Sequence, residues 1–197
     1  MTAPLKVALV GAGGQVGPYL LEYLSEDPQL SLLGICRNAV TAGPLRLAGF
    51  KIECGEIADP AVAADLLGDC DVVANLAAGS GTSLAEARAQ DQAVLRSLVR
   101  LSGRKKIIHF SSVGVYGTCL VEGRNTFQRP RPDWSYGKDK LRLEHYLRGL
   151  MRYSRHSVVT LRLGHVYGVS QWVSRWVLTT TSRSRIDCVS SSPASGP

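Results

Sequence analysis

Residues 6–17 read Lys-Val-Ala-Leu-Val-Gly-Ala-Gly-Gly-Gln-Val-Gly, an aliphatic run that breaks into closely spaced glycines. Residues 19–24 (YLLEYL) follow with apolar side chains at helical spacing. Together these two segments predict a strand, a sharp turn and a helix. Glycines at Gly11, Gly14 and Gly17 let the backbone approach a pyrophosphate, whose charge the helix N-terminus favours. Taken alone, the pattern is also typical of a generic glycine turn between strand and helix.

The alternation of strand and helix patterns continues along the chain. Further strands are predicted at residues 30–36, 51–53, 71–76, 106–111 and 157–163, and helices at 62–67, 85–101 and 136–153. Strands that alternate with helices predict an α/β fold with a doubly wound parallel sheet. Ligands bind such sheets beyond the carboxyl ends of the strands, so side chains at that edge are the first candidates for a site.

Two segments depart from this alternation. Residues 119–135 form a loop rich in Pro, Gly and Arg, of a kind that often carries function. After Gly168 the composition changes to Ser, Thr, Arg and Trp without a sustained period. We therefore expect one domain over residues 1–168 and a poorly ordered tail over residues 169–197, with at best a short helix at 171–178.

The composition is that of an ordinary globular domain, with 197 residues of which 45% are hydrophobic and 20% charged. No window approaches the roughly 20 apolar residues that span a bilayer, and the N-terminus carries no targeting pattern. We therefore expect a cytoplasmic protein with no membrane partner. The five cysteines are odd in number and lack a C-x-x-C pair, which argues against a disulfide framework and against a zinc site. No metal is expected.

The net charge of +7 is divided unevenly along the chain. Residues 1–100 hold 7 Lys and Arg against 11 Asp and Glu, whereas residues 101–197 hold 16 against 5. A basic half can attract nucleic acid or a polyanionic small ligand. The cations are scattered, however, and residues 104–106 are the only run of three. We therefore expect a solvated face with some attraction for phosphates and no nucleic-acid partner.

A tyrosine and a lysine stand four residues apart in Tyr136-Gly137-Lys138-Asp139-Lys140, so that both side chains project from one face of the predicted helix. A tyrosine hydroxyl has an unperturbed pKa of about 10, and a neighbouring ammonium favours the phenolate. Such a pair could exchange a proton with a carbonyl or an alcohol. The same spacing is common on amphipathic helices, so by itself it also fits a structural role.

Two serines end the predicted fifth strand, in the segment Phe-Ser-Ser-Val-Gly-Val-Tyr-Gly at residues 110–117. A hydroxyl at this position would lie at the ligand edge of the sheet. Serines at strand ends usually satisfy turn backbone, and chemistry alone does not choose between Ser111 and Ser112.

Together these motifs resemble the extended short-chain dehydrogenase/reductase family, which includes the NAD(P)-dependent epimerases and dehydratases of nucleotide sugars. The resemblance covers residues 5–168 and rests on the glycine turn, N-L-A-A at 75–78, F-S-S-x-x-V-Y-G, Y-G-K-x-K and L-R-L-G-H-V-Y-G at 161–168. It implies a Rossmann fold, bound NAD(P) and a small-molecule substrate of the nucleotide-sugar class, and it is compatible with a homodimer. Counting back from V-Y-G, it assigns the catalytic hydroxyl to Ser112, beside Tyr136 and Lys140.

The resemblance also implies which residues hold the dinucleotide. The glycine turn would contact the pyrophosphate, residues after the third strand the adenine, those after the fourth the ribose, and one after the sixth the nicotinamide. The implied cofactor-binding residues are Gly11, Gly14, Gln15, Val16, Gly17, Arg37, Glu56, Ile57, Ala77, Ala78, Tyr136, Lys140 and Val166.

The end of the second strand bears on the choice between NAD and NADP. NAD-specific members usually offer an acidic residue there to the ribose hydroxyls, and residues 34–38 (GICRN) contain none. Arg37 instead resembles the arginine of NADP-using members, a bidentate partner for a 2′-phosphate. A surface arginine in a turn is the alternative. The expected cofactor is NAD(P), leaning towards NADP.

Several positions depart from the family pattern. No Asn occurs in residues 88–92, His165 stands where sugar-nucleotide enzymes commonly carry Asn, and Val169 replaces the usual Pro. An NADPH-dependent carbonyl reductase of the same superfamily and a non-catalytic dinucleotide-binding module are therefore kept as alternatives. Only 29 residues follow Gly168, and they do not resemble the family's substrate-binding lobe. We expect a C-terminally truncated member that binds a dinucleotide but turns substrate over poorly.

Overall fold

The computed structural model describes residues 3–79, 83–117, 129–164 and 166. The chain divides into two compact units, Met1–Gly164 and His165–Pro197. Of the second unit, only Val166 is among the described residues. The predicted domain boundary at residue 168, the predicted tail and most of the predicted loop at 119–135 lie outside the described ranges, so they stay predictions.

The first unit is built on a parallel sheet. Its described strands are β1 (Leu5–Val10), β2 (Leu30–Cys36), β3 (Ile52–Cys54), β4 (Val72–Asn75), β5 (Lys106–Ser112) and β6 (Ser157–Leu163). They lie in the order β3-β2-β1-β4-β5-β6, and every neighbouring pair is parallel. The chain first adds strands to one side of β1 and then crosses to the other side at β4. The predicted doubly wound Rossmann sheet is confirmed, and its switch point lies between β1 and β4.

Helices connect successive strands and cover both faces of the sheet. They are α1 (Gly17–Leu24), α2 (Ala39–Leu47), α3 (Pro60–Leu67), α4 (Leu84–Val99), a 3₁₀ helix (Val113–Tyr116) and α5 (Ser135–Met151). One buried cluster unites sheet residues with α1 and α2, a second unites the opposite face with α3 and α4, and a third joins α4 to α5. The right-handed crossovers typical of parallel sheets place helices in this way.

β1 shows why these residues form a central strand. Val7 and Leu9 belong to the cluster under α1 and α2, whereas Ala8 and Val10 belong to the cluster under α3 and α4. Side chains alternate between the faces of a strand, and both faces of a doubly wound sheet are buried. A continuous aliphatic run is therefore what a central parallel strand requires.

The helix α2 was not predicted from the sequence. Gly43 and Pro44 interrupt the apolar pattern, and both are poor helix formers. The helix nevertheless begins cleanly, because the Asn38 side chain accepts a hydrogen bond from the Thr41 amide at 3.1 Å. This N-cap was the available sequence signal.

The edge strand β3 has three residues and is anchored by a side chain from α2. The Arg46 guanidinium donates two hydrogen bonds to the Ile52 carbonyl, at 3.0 Å and 2.8 Å. The position of β3 differs by one residue from the predicted strand at 51–53.

In the described ranges, no helix combines the length and the apolar character that a bilayer crossing requires.

Candidate functional site

A cavity of about 510 Å³ opens at the carboxyl ends of the central strands. Its walls come from the turn after β1, the ends of β2, β4, β5 and β6, the segment after β3, the middle of α4 and the first two turns of α5. The predicted cofactor-binding residues that line it are Gly11, Gly14, Gln15, Val16, Gly17, Arg37, Glu56, Ile57, Ala77, Ala78, Tyr136 and Lys140. The fold therefore brings together side chains up to 129 positions apart in the sequence.

The turn after β1 tolerates only glycine at two of its positions. Gly11 has φ +84°, and a Cβ there would lie 2.8 Å from the Ala77 amide nitrogen. A Cβ at Gly17 would lie 2.1 Å from the Ala12 carbonyl oxygen. Four glycines of this turn line the cavity together with the N-terminus of α1 at Gly17. A backbone with few side chains at a helix N-terminus is an arrangement that a pyrophosphate fits.

The part of the cavity next to the carboxyl ends of β2 and β3 combines polar and apolar groups. Arg37 is exposed at its rim, and Ile57 is 3% exposed. The Glu56 carboxylate accepts hydrogen bonds from the Ala58 amide at 3.3 Å and the Gln90 side chain at 3.4 Å. Burial raises the pKa of the Cys36 thiol, which also lines this end. This end of the cavity therefore combines an exposed guanidinium with a hydrogen-bonded carboxylate and a buried apolar side chain.

The predicted tyrosine and lysine lie in the first two turns of α5. Tyr136 is 46% exposed, and the Lys140 Nζ lies 5.8 Å from the centre of its ring. Trp134, which precedes the helix, packs its ring at 5.4 Å from that of Tyr136. The phenol is therefore accessible from the cavity, and a cation lies beside it.

The two serines at the end of β5 have different surroundings. Ser111 lines the cavity, and its buried Oγ donates a hydrogen bond to the Glu144 carboxylate at 2.6 Å. The half-buried Ser112 Oγ accepts a hydrogen bond from the Gly114 amide at 3.1 Å and caps the 3₁₀ helix. Ser112 is not among the residues that line the cavity. The Ser111 hydroxyl thus donates its proton to Glu144, whereas the contact between Ser112 and Gly114 does not use the Ser112 hydroxyl proton.

A buried ion pair ties this serine segment to α5 and β6. Arg162 donates two hydrogen bonds to the Glu144 carboxylate, at 3.0 Å and 2.7 Å, and a third to the Tyr116 hydroxyl at 2.6 Å. Burial alone would raise the pKa of Glu144, but hydrogen bonds from Arg162 and Ser111 outweigh it and leave the pKa lowered. The same contact with Glu144 raises the pKa of Arg162.

A polar pair also lies inside the sheet beneath the cavity. The Asn75 carboxamide accepts a hydrogen bond from the Ala77 amide at 3.2 Å and approaches His109 Nδ1 at 3.5 Å. Burial, followed by the charge of Lys140, lowers the pKa of His109 to about 4. His109 is therefore neutral at neutral pH, and Asn75 fixes the backbone that leads into Ala77 and Ala78.

Sequence reasoning missed Asp91, which extends into the cavity from α4. Its carboxylate accepts a hydrogen bond from the Gly79 amide at 2.5 Å. Burial raises the pKa of Asp91, while the Lys140 charge and the Gly79 hydrogen bond act in the opposite direction. An acidic residue on a helix usually indicates a solvated surface, and no signal in the sequence distinguished Asp91, in the middle of α4, from such a residue.

Two other predictions concern Val166 and metal binding, and both stay predictions. Val166 lies in the second unit, and its placement relative to the cavity is not described. Among the described residues, no group of three His, Cys, Asp or Glu side chains is arranged to hold a metal ion.

The model of the NAD dependent epimerase/dehydratase family matches residues 7–184. The chain therefore belongs to that family, as the motifs predicted. None of the curated proteins matches the chain significantly.

Solved structures of this fold include several enzymes of nucleotide sugars. UDP-glucuronic acid 4-epimerase from Bacillus cereus, in complex with NAD, is 27% identical with a TM-score of 0.69, over 85% of this chain and 59% of that one. UDP-N-acetylglucosamine 4-epimerase from Bacillus cereus is 23% identical (TM-score 0.67, 84% and 55%). dTDP-glucose 4,6-dehydratase from Bacillus anthracis, in complex with NAD, is 16% identical (TM-score 0.70, 86% and 58%). The last two show the shared fold alone, and this chain spans less than two thirds of each.

Proposed function

We propose that this chain binds NAD(P) in the cavity and supports hydride and proton transfer on a nucleotide sugar, as an epimerase or dehydratase does. The observation that carries the proposal is the position of Tyr136 and Lys140 in the same cavity as the open glycine turn. The family assignment and the 27% identical UDP-glucuronic acid 4-epimerase support the same class of reaction.

When bound, the nicotinamide supplies a hydride acceptor and donor, and the residues of the chain handle the proton. The Tyr136 phenol would exchange its proton with the reacting oxygen of the sugar. Lys140, whose Nζ lies 5.8 Å from the centre of the tyrosine ring, would polarise the phenol and bind ribose hydroxyls. Ser112, whose hydroxyl proton is not used by the Gly114 contact, would orient the reacting oxygen.

We propose NADP as the preferred form of the cofactor. Residues 34–38 contain no acid for a ribose 2′-hydroxyl, and Arg37 stands exposed at the rim of the cavity. A guanidinium is a bidentate partner for a phosphate. The neighbouring structures named above that contain a cofactor contain NAD, so the preference is tested directly by measuring binding of both forms.

A reductase of small carbonyl compounds is the second candidate. The same tyrosine, lysine and serine would serve it, and Arg37 suits NADPH, the usual cofactor of such reductions. It differs from the first candidate in substrate alone. A non-catalytic dinucleotide-binding module is less consistent with the accessible phenol of Tyr136.

We also propose that the protein works in the cytoplasm, where its thiols stay reduced; Cys36, Cys54 and Cys70 are free in the described structure. A homodimer stays a prediction.

The test combines binding with a single turnover. Calorimetry with NADP⁺ and NAD⁺ measures the cofactor site, and the near-ultraviolet absorbance of reduced nicotinamide then follows hydride transfer after UDP-glucuronic acid or UDP-N-acetylglucosamine is added. We expect binding in the parent and in Tyr136→Phe, with hydride transfer slowed in the variant alone. Lys138→Met, which changes an exposed lysine of the same helix, is the matched control. No binding of either dinucleotide would refute the proposal, and transfer with simple ketones alone would favour the reductase.

A further inference from the structure

The segment that contains Ser112 is anchored at both of its ends. On one side, the Ser111 Oγ donates a hydrogen bond to the Glu144 carboxylate at 2.6 Å. On the other side, the Tyr116 hydroxyl accepts a hydrogen bond from Arg162 at 2.6 Å, and the guanidinium lies 4.9 Å from the centre of the tyrosine ring. Because Glu144 and Arg162 are themselves paired at 2.7 Å, these contacts close a ring through the segment.

Ser112 and Tyr116 are the two ends of one short 3₁₀ helix. The Ser112 Oγ accepts a hydrogen bond from the Gly114 amide at 3.1 Å and caps the start of the helix. At its end, the Gly117 amide donates to the Gly114 carbonyl at 3.2 Å. A 3₁₀ helix has poorer hydrogen-bond geometry than an α-helix and is used only in short pieces. The position of Ser112 therefore depends on contacts that hold the far end of this helix, and Tyr116 supplies the contact with Arg162.

The same 3₁₀ helix packs directly on the start of α5. A side chain at Gly137, the residue after Tyr136, would overlap the Gly114 carbonyl oxygen, so the two backbones approach closely there. A side chain at Gly114 would also lie 3.3 Å from Trp134, whose ring packs against that of Tyr136. Any displacement of the 3₁₀ helix therefore changes the position of the Ser112 hydroxyl relative to the phenol of Tyr136.

We propose that Tyr116 is a positioning residue, whose hydrogen bond from Arg162 fixes the 3₁₀ helix so that the Ser112 hydroxyl faces the reacting oxygen. Tyr116 is not among the residues that line the cavity, so it acts through Ser112. The buried Glu144 carboxylate holds the guanidinium in place for this contact. The inference rests on the proposed function, because it depends on the role proposed there for Ser112.

The test removes one hydroxyl and keeps the rest of the network. Tyr116→Phe retains the ring beside the guanidinium and leaves the ion pair of Glu144 and Arg162 intact. Tyr146→Phe is the matched control, because its hydroxyl also accepts a hydrogen bond from an arginine, Arg96, at 3.1 Å, but outside this network.

The first measurement does not depend on activity. Nuclear magnetic resonance follows hydrogen exchange of the Gly114 amide, whose acceptor is the Ser112 Oγ, relative to the core amides of β4. We expect exchange to be about tenfold faster in Tyr116→Phe, as the loss of one hydrogen bond to a charged donor allows, and unchanged in Tyr146→Phe. Unchanged exchange in both variants would overturn the inference.

The second measurement asks whether Tyr116 acts through Ser112. Single-turnover hydride transfer with UDP-glucuronic acid is compared in the parent, Tyr116→Phe, Ser112→Ala and the double variant. We expect Tyr116→Phe to slow transfer roughly 10- to 100-fold with unchanged dinucleotide affinity, since a misplacement of about 1 Å can cost about 10²-fold. In the Ser112→Ala background the same change should slow transfer by less than about twofold, because coupled residues are not additive.

The outcomes separate the two proposals. Equal slowing in both backgrounds would show that Tyr116 acts independently of Ser112 and would overturn the inference, while the proposed function would stand. Unchanged transfer in Tyr116→Phe would overturn it as well. No transfer in the parent refutes the proposed function itself.

Discussion

Removing the carboxylate of Glu144 should destabilise the protein far more than removing a surface acid. Glu144 has a side chain that is 3% exposed, and its partner Arg162 is 19% exposed. Glu144→Ala would leave the guanidinium with its Tyr116 contact but without its buried counter-charge, and Ser111 would lose its acceptor. Breaking a buried ion pair from one side costs about 3–5 kcal/mol. For a chain of this size, that corresponds to a fall in Tm of roughly 6–20 °C.

Thermal and urea unfolding followed by circular dichroism provide the assay. Glu22→Ala, which removes an exposed acid from α1, should change the free energy of unfolding by no more than about 0.5 kcal/mol. The double variant Glu144→Leu with Arg162→Met should recover much of the loss, since apolar replacements remove both buried charges. A loss below about 1 kcal/mol in Glu144→Ala, or no recovery in the double variant, would refute the reasoning.

Four further outcomes are expected. Tyr136→Phe should bind dinucleotide normally and lose turnover by roughly 10²–10⁴-fold, the contribution typical of an acid/base group; unchanged turnover would remove Tyr136 from the site. Arg37→Ala should weaken NADPH binding in calorimetry and leave NADH binding unchanged; equal affinity of the parent for both would contradict the preference for NADP. Gly17→Ala should abolish dinucleotide binding or unfold the turn, because its Cβ would overlap the Ala12 carbonyl; a variant that melts and binds like the parent would argue against the tight turn. The protein should lose stability in acid, because His109 has a pKa of about 4 in the folded protein against an ordinary 6.5. The unfolded chain therefore binds the proton first as the pH falls below 6.5, and the loss of unfolding free energy is complete near pH 4 at about 3 kcal/mol. Urea midpoints between pH 7 and pH 4 measure this loss, and a flat profile in the parent that matches His109→Gln would contradict it.

The sheet could be predicted from sequence because its central strands are buried on both faces. A strand buried on both faces requires an aliphatic run such as the one in β1. Glycine is required at Gly11 and Gly17 after it, because a Cβ there would overlap neighbouring backbone atoms. The connection α2 was missed because Gly43 and Pro44 oppose helix formation locally, and packing of Ala42 and Leu45 against the sheet overrides them. Tertiary burial, not local propensity, decides that segment.

The candidate site could be predicted from sequence where its residues stand a few positions apart, and residues that separate elements bring together were missed. Tyr136 and Lys140 are four residues apart, so their shared face is visible in the sequence. Glu144 and Arg162 come from different elements, and Asp91 meets the cavity only because α4 packs beside α5. Residue types alone could not indicate that these carboxylates are buried, because acidic residues on helices are usually solvated.

The Arg46 side chain has a consequence for the sheet as a whole. The carbonyl of Ile52 belongs to the outer side of β3, because the neighbouring Lys51 carbonyl bonds inward to Gly34. Outward carbonyls on an edge strand are where a strand from another molecule would begin to pair. With a guanidinium already donating twice to this oxygen, an incoming strand would have to displace a charge to pair with it. A side chain from the preceding helix therefore occupies one outward acceptor of β3 and opposes the pairing of another strand at this position.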